Sequence, residues 1–411
     1  MVENLLEEDR VFRRQLRVFL EEICAELCRF QHILEDDAVP ECIKIRREVA
    51  VAPGAFLDVL VELPDQGSYA LEVKFGYPVS TLLEQLGKKY GSEVAVTERL
   101  QRLVLLVRDF DGQQKPDLEA KVLRVIRPDL RLEIWNEHDL LQRIESCFGV
   151  QLSTILCQEL LDVRRAIDKK KWQIAFGDSS SDRLADTLLW HFGFWNLRRL
   201  NREQNLQPEN VLAPGLFRDV AIVMADLSSF SSYVRDTRDM ELVRHSLTTF
   251  YSRARHAIHS AGGMLYQFVG DEVVGLFGIP DRFSGYADQA LDCASQLIDI
   301  GQSVSNTWQK RLDREQEKSG VHVGVSVGDL NLLPLLPFSE SHFGFAGDAL
   351  NMSARLMAAA SPNGVCVSNG LYRLSSREHG QFEAMPNLEA KNVGRVKCWG
   401  FRPAYAGSSP I

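Results

Sequence analysis

The sequence predicts an α+β chain: an α/β domain, a helical connector and a second domain built of two βαβ-type halves. With 411 residues there is room for two domains and a connector. The expected divisions are 1–150, 151–216 and 217–405. The first domain is predicted by a helix-period run followed by short β-rich runs that alternate with helices. The second is predicted by short apolar runs ending in aspartate, with long amphipathic stretches between them.

In chain order, residues 8–33 place Val11, Leu16, Phe19, Leu20, Ile23, Leu27 and Phe30 on one broad helical face. Strand-like runs follow at 43–51, 56–63 and 68–73, and Pro78-Val-Ser-Thr opens a helix to about residue 90. Leu103-Val-Leu-Leu-Val reads as a buried strand, 117–125 as a helix, 130–135 as a strand and 136–147 as a closing helix. The connector is expected to hold a helix over 152–167 with a solvated end at Lys169-Lys-Lys-Trp, then a loop at Gly177-Asp-Ser-Ser-Ser-Asp. A second helix, 184–200, carries Trp190, Phe192, Phe194 and Trp195, spacings that suit a core or a dimer interface. The last domain reads as a strand (220–225), a helix (237–261) capped by His259-Ser-Ala-Gly-Gly, and a hairpin (264–278). A helix (285–308), a strand (321–327) and an extended segment to Phe345 come next. A helix (348–360), a strand (364–368), a short helix and a hairpin over about 381–401 complete it.

The net charge of −9 argues against a general attraction to nucleic acid or membrane surfaces. No apolar run of about 20 residues is present, and the acidic, amphipathic start lacks the pattern of a leader. The expectation is a soluble cytoplasmic protein. The eight cysteines are scattered without a CxxC pair. Cys24 and Cys28 share a helix face, which suits buried thiols in a reducing compartment and also leaves a metal role open.

Chemistry concentrates in the last domain. Val220-Ala-Ile-Val-Met-Ala is an apolar strand that ends in Asp226. Tyr266-Gln267-Phe268-Val269-Gly270-Asp271-Glu272 reads as a hairpin tip with Asp271 in the turn. Either aspartate alone could simply cap its turn. Together they offer rigid oxygen ligands of the kind hard divalent cations prefer. In Gly347-Asp-Ala-Leu-Asn351-Met-Ser-Ala-Arg355, a helix puts Asn351 and Arg355 one turn apart on one face, a pairing suited to a phosphate whose charge moves.

These three stretches, in this order and at these separations, resemble a class III nucleotidyl cyclase domain over about residues 217–405. The resemblance implies a ferredoxin-like fold acting as a head-to-tail homodimer with two interface sites. It implies a nucleoside triphosphate substrate and two divalent cations, Mn²⁺ or Mg²⁺, on Asp226, Leu227 and Asp271. The turn of Ser228, Ser229, Phe230 and Ser231 would cradle phosphates together with Lys391. Asn351 would orient the ribose, and Arg355 from the other protomer would stabilise the α-phosphate.

Base recognition departs from the resemblance. Where adenylyl cyclases carry Lys and guanylyl cyclases Glu, this chain has Gln267, and the second base-reading position is Gly344. Gln both donates and accepts, so it can meet a uracil or a cytosine edge. Tyr233 is expected to shorten the pocket. These departures resemble the pyrimidine cyclases of bacterial Pycsar anti-phage defence, which implies cyclic UMP as product and a separate cyclic-nucleotide-responsive effector. Cyclic CMP is the alternative. An adenylyl cyclase with an atypical pocket and a degenerate nucleotide-binding domain are the further ones. In the first domain, Asp58, Glu72 and Lys74 resemble the strand-borne set of a PD-(D/E)xK nuclease fold, without its leading proline. Strand-edge charges, a sensing module and an active nuclease are the three readings, and nucleic acid is expected as a partner only there.

Overall fold

A computed structural model of the protein describes residues 2–34, 43–52, 54–63, 67–91, 97, 99–108, 114–155, 160–177, 182–237, 239–312, 319–334, 343–390 and 394–403. The chain forms two compact units that divide between Lys170 and Lys171.

The first unit opens with helix α1 (Val2–Leu34), followed by strands β1 (Lys44–Ala52), β2 (Ala55–Leu63) and β3 (Gly67–Val73). Then come α2 (Val79–Tyr90), β4 (Leu100–Leu106), α3 (Gln114–Leu123), β5 (Arg131–Trp135) and α4 (Glu137–Phe148). The order is the predicted one. The strands lie in the order β1-β2-β3-β4-β5, antiparallel for the first two pairings and parallel for the last two. Parallel neighbours need a crossover, and α2 and α3 supply it. Leu82, Leu86 and Tyr90 of α2 bury against Leu57, Ala70, Leu103 and Leu105 of the sheet. Leu20, Ile23 and Leu27 of α1 are fully buried, and Phe30 meets Phe148 of α4 edge-on at 4.7 Å. Asn136 and Asp139 form a reciprocal capping box that starts α4 where the sequence placed it.

The connector departs from expectation. Helix α5 is Leu160–Phe176, later than predicted, and Lys169-Lys-Lys-Trp lies inside it. Lys171 and Trp172 are buried, so this stretch is not a solvated helix end. The predicted 184–200 helix is two: α6 (Asp182–His191) and α7 (Phe194–Gln204). The break follows from Phe192, which leaves the helix to bridge Met264, and from Gly193, where a Cβ would stand 3.2 Å from His259. Phe192, Phe194 and Trp195 are buried, while Trp190 is exposed.

Strand β6 (Gly215–Leu227) is longer than predicted, with an irregularity between Phe217 and Val220 where Asp219 takes a φ of 53°. Helices α8 (Phe230–Asp236) and α9 (Met240–Ser260) follow, then β7 (Met264–Val269) and β8 (Glu272–Phe277). Next are α10 (Tyr286–Leu312), β9 (Val321–Pro334), β10 (Phe343–Ala346) and α11 (Asp348–Ala359). The remainder is β11 (Val365–Ser368), α12 (Asn369–Leu374), β12 (Phe382–Ala384), β13 (Leu388–Ala390), β14 (Gly394–Val396) and β15 (Cys398–Phe401). The main sheet runs β12-β15-β11-β9-β6-β8-β7, with β10 paired to β9, and is antiparallel except for β11 on β9.

Alternation along β6 sorts its side chains. Ala221, Val223, Ala225 and Leu227 enter the core shared with α9 and α10. Asp226 belongs to the opposite set, with Ile222 and Met224. On that side lies α11, whose Ser353 hydroxyl donates to the Ile222 carbonyl at 3.0 Å. Gly324 permits the approach, since a Cβ there would stand 2.3 Å from the Ser353 carbonyl. Among the described residues no helix is long and apolar enough to cross a membrane.

Candidate active site

Antiparallel pairing of β6 with β8 sets Asp226 opposite Glu272, and the β7–β8 turn carries Asp271 beside them. Gly270 takes a φ of 62°, a left-handed conformation that glycine adopts without a steric cost. The Tyr251 hydroxyl of α9 donates to the Gly270 carbonyl and ties the turn to the helix behind it. The Asp226 and Asp271 carboxyls share a hydrogen bond. Burial, the Asp271 charge, that hydrogen bond and Glu272 push Asp226 up to about 7. Burial also raises Asp271, against the hydrogen bonds that it accepts. Burial and Asp271 raise Glu272. Like charges forced together in a half-buried position are what a bound divalent cation would relieve, and the all-oxygen donor set matches the preference of Mg²⁺ and Mn²⁺. The residues present therefore fit the cations that the sequence led one to expect.

After Asp226 the chain turns into α8. The Leu227 side chain is in the core, so only its backbone can face the site. Ser228 donates its amide to the Gly320 carbonyl at 2.9 Å, which removes one donor from the expected cradle. Among the described residues its hydroxyl is buried without a hydrogen-bond partner. Ser229 takes a φ of 62° and starts α8, whose first-turn amides, including those of Phe230 and Ser231, have no intrahelical acceptor. The Phe230 ring packs against Trp308 in the core.

Tyr233 does not meet its expectation. Its ring is fully buried, stacked on Trp308 at 4.8 Å, with its hydroxyl 3.5 Å from that of Ser246. It is a core residue beneath the turn that follows Asp226, so its ring cannot shorten a base pocket. Asn351 is exposed and Arg355 half-buried, one turn apart on the side of α11 away from buried Ala349, Ser353 and Leu356. Gln267 is exposed on β7, directly after an irregularity in the β7–β8 pairing. Gly344 lies on β10, where a Cβ would meet nothing. The two neighbourhoods touch, because the Phe345 amide donates to the Tyr266 hydroxyl at 3.2 Å. Lys391 lies outside the described residues. Sequence reasoning missed Tyr251 and Glu272 as members of this site. Tyr251 binds a backbone carbonyl far along the chain, for which no spacing rule exists, whereas Glu272 could have been found from its place beside the hairpin turn.

In the first unit, Asp58, Glu72 and Lys74 do come together. Lys74 Nζ lies 2.7 Å from Asp58 Oδ2 and 2.7 Å from Glu72 Oε2. Asp58 also accepts from the Val73 amide at 2.8 Å. Lys89 Nζ lies 2.7 Å from Glu72 and 3.9 Å from Asp58, and the Tyr90 hydroxyl donates to Glu72 at 2.6 Å. Lys74, Lys89 and Arg17 hold the Asp58 carboxyl well below the usual range despite its burial. Carboxylate oxygens of Glu21, Glu48 and Asp58 lie within 4.8 Å of one another, yet Arg47 is 3.2 Å and Arg17 3.3 Å from Glu21. Protein cations already occupy the surroundings of these carboxylates.

Residues 213–402 match the family model of the adenylate and guanylate cyclase catalytic domain. A soluble guanylate cyclase of Caenorhabditis elegans is 23% identical over 180 residues, 43% of this chain and 24% of that protein. Adenylate cyclase type 10 of Homo sapiens is 22% identical over 183 residues, 44% of this chain and 11% of that protein. The chain thus spans about a quarter and about a tenth of these relatives' lengths. Among solved structures, the guanylyl cyclase Cya2 aligns at 18% identity with a TM-score of 0.41, over 48% of this chain and 99% of its own. The adenylyl cyclase CyaB from P. aeruginosa aligns at 16% identity with a TM-score of 0.41, over 48% of this chain and 100% of its own. This part of the chain has the α+β fold of a nucleotide cyclase catalytic domain. The likeness is one of this domain: the match covers 190 of the chain's 411 residues.

Proposed function

We propose that the chain is a pyrimidine nucleotide cyclase that converts UTP to 3′,5′-cyclic UMP and pyrophosphate at sites formed between two copies. The observation that carries the cyclase reading is the Asp226–Asp271 pair, held in contact at adjoining strand ends. Two divalent cations held by these carboxylates and the Leu227 backbone would acidify the 3′-hydroxyl and neutralise the triphosphate. The chain's own residues do the rest. Tyr251 and the β7–β8 register fix the Asp271 turn. The first-turn amides of α8 would face the phosphates. Asn351 orients the ribose and Arg355 steadies charge on the α-phosphate from the other protomer, which accounts for their place on the outer side of α11.

The pyrimidine reading rests on Gln267 and Gly344, which replace the purine-reading pair. The product would then serve as messenger to a separate effector in anti-phage defence, the role the sequence resemblance suggests. Incubation with Mn²⁺ and each of the four nucleoside triphosphates, followed by mass spectrometry, is the test. Best turnover of ATP or GTP replaces the pyrimidine reading, and turnover of none removes the cyclase reading.

For the first unit we propose a regulatory role without metal chemistry. It is supported by the Lys74 and Lys89 ammoniums, which already neutralise Asp58 and Glu72. Mn²⁺-dependent cleavage of DNA or RNA by the wild type, lost in Asp58→Ala, would overturn it.

A further inference from the structure

We propose that His191, at the end of α6, is a positioning residue that sets base selection by clamping the two strands that carry Gln267 and Gly344. The proposal rests on the reading of those two positions as base-facing. His191 Nδ1 lies 2.6 Å from the Leu265 carbonyl. That carbonyl can only accept, so Nδ1 carries the proton. Leu265 is the last regular residue before the β7 irregularity, and Gln267 is the first paired residue after it. Extra residues of this kind re-aim the side chains that follow them, so the imidazole grips the backbone at the point that aims Gln267. The ring also packs on Phe343 of β10, the neighbour of Gly344, with centroids 5.0 Å apart. Tyr266 closes the circuit through its bond from the Phe345 amide.

The clamp itself is anchored. The carbonyls at the end of α6 lack intrahelical donors. Arg255 of α9 donates to the Leu189 carbonyl at 2.8 Å and to the Trp190 carbonyl at 3.3 Å, and His259 Nε2 lies 3.2 Å from the His191 carbonyl. Phe192 then bridges Met264 at the start of β7. Burial, and less so Arg255, hold the His191 pKa below its ordinary value against the bond to the Leu265 carbonyl. A helix end that merely packed on the sheet would not need a side chain that touches both strands.

The test uses the full chain, Mn²⁺ and the four 3′-deoxynucleoside triphosphates, which lack the attacking hydroxyl, with affinities read by calorimetry. The readout is the ratio of affinities for the best and second-best base. His191→Phe keeps a ring against Phe343 but removes the donor, and should lower the ratio about two- to tenfold, the range of one net hydrogen bond. His191→Asn places an amide donor near Nδ1 and should hold the ratio within about twofold. An unchanged ratio in a folded His191→Phe, or an equal loss in His191→Asn, overturns the proposal. So does a wild type that binds all four alike. If His191→Phe does not fold, Phe343→Leu releases the β10 side of the clamp and must lower the ratio in turn, and an unchanged ratio there also overturns it. A wild type that discriminates among bases yet forms no cyclic product refutes the cyclase reading and not the clamp.

Discussion

Replacing Asp226 by Asn should abolish cyclisation and, in the absence of divalent cations, stabilise the protein. The amide is nearly isosteric and still donates to Asp271, but it removes one of two carboxylates forced into contact. Two unit charges about 4 Å apart repel by about 1 kcal/mol in water and about 4 kcal/mol at an effective dielectric near 20. The pair is only half-buried, so the lower part of that range applies, about 1–2 kcal/mol. For a unit of this size that is a rise in melting temperature of about 2–8 °C. The pH window follows from the raised pKa. Between the ordinary carboxylate value of 3.8 and about 7, the folded wild type holds a proton that the unfolded chain has lost. Its stability therefore falls as pH rises through that window and levels off above it. The variant lacks this loss, so the gap between the two should be absent near pH 4 and full near pH 8. Calorimetric melting in EDTA from pH 4 to 9 reads it directly. Mn²⁺ should then raise the wild-type melting temperature at pH 8 far more than that of the variant. An Asp226→Asn protein that melts at or below the wild type at pH 8 in EDTA would show that the carboxylates are not in mutual repulsion, and the cation site argued from it would fall.

Mixing Asp226→Ala with Arg355→Ala, each inactive alone, should recover activity from one intact site per heterodimer; no recovery under proven subunit exchange counts against composite sites. Gln267→Ala should lose discrimination between bases by roughly tenfold while turnover of the best substrate falls less, because one unmatched buried polar group costs about 1–3 kcal/mol; a collapse of turnover at unchanged selectivity would place Gln267 in the chemistry instead. Lys74→Met should destabilise the first unit by about 3–5 kcal/mol, since it leaves buried Asp58 and Glu72 short of a cation; full rescue of its denaturant midpoint by Mn²⁺ would mean that these carboxylates form a metal site after all. A fragment that starts at residue 182 should fold and cyclise, whereas one that starts at 205 should not fold cooperatively; an active 205 fragment would make α6 and α7 dispensable.

That last contrast shows where sequence reading ends. Strand-end carboxylates are legible because their signals are local: an apolar run, an aspartate and a turn residue within a few positions. Asp226, Gly270 and Asp271 need nothing else to be found, and the β6–β8 register brings them together. Tyr233 looked equally local, one turn beyond the loop after Asp226, yet helical phase sent its ring inward onto Trp308, a partner on α10 that no spacing could supply. The 184–200 stretch shows the same limit from the other side. Its aromatic pattern reads as one helix because propensity carries no information about Met264, and it is the bridge from Phe192 to Met264 that breaks the helix. The connector was legible as helix but not as part of the catalytic unit, since its ties to β7 and α9 run through backbone carbonyls, which every residue possesses. In the first unit, the set of Asp58, Glu72 and Lys74 was legible while its meaning was not. Lys89 of α2 turns a constellation that resembles a cation site into one already filled by protein cations. A motif names the ligands; only the packing says whether a counter-charge has been built in beside them.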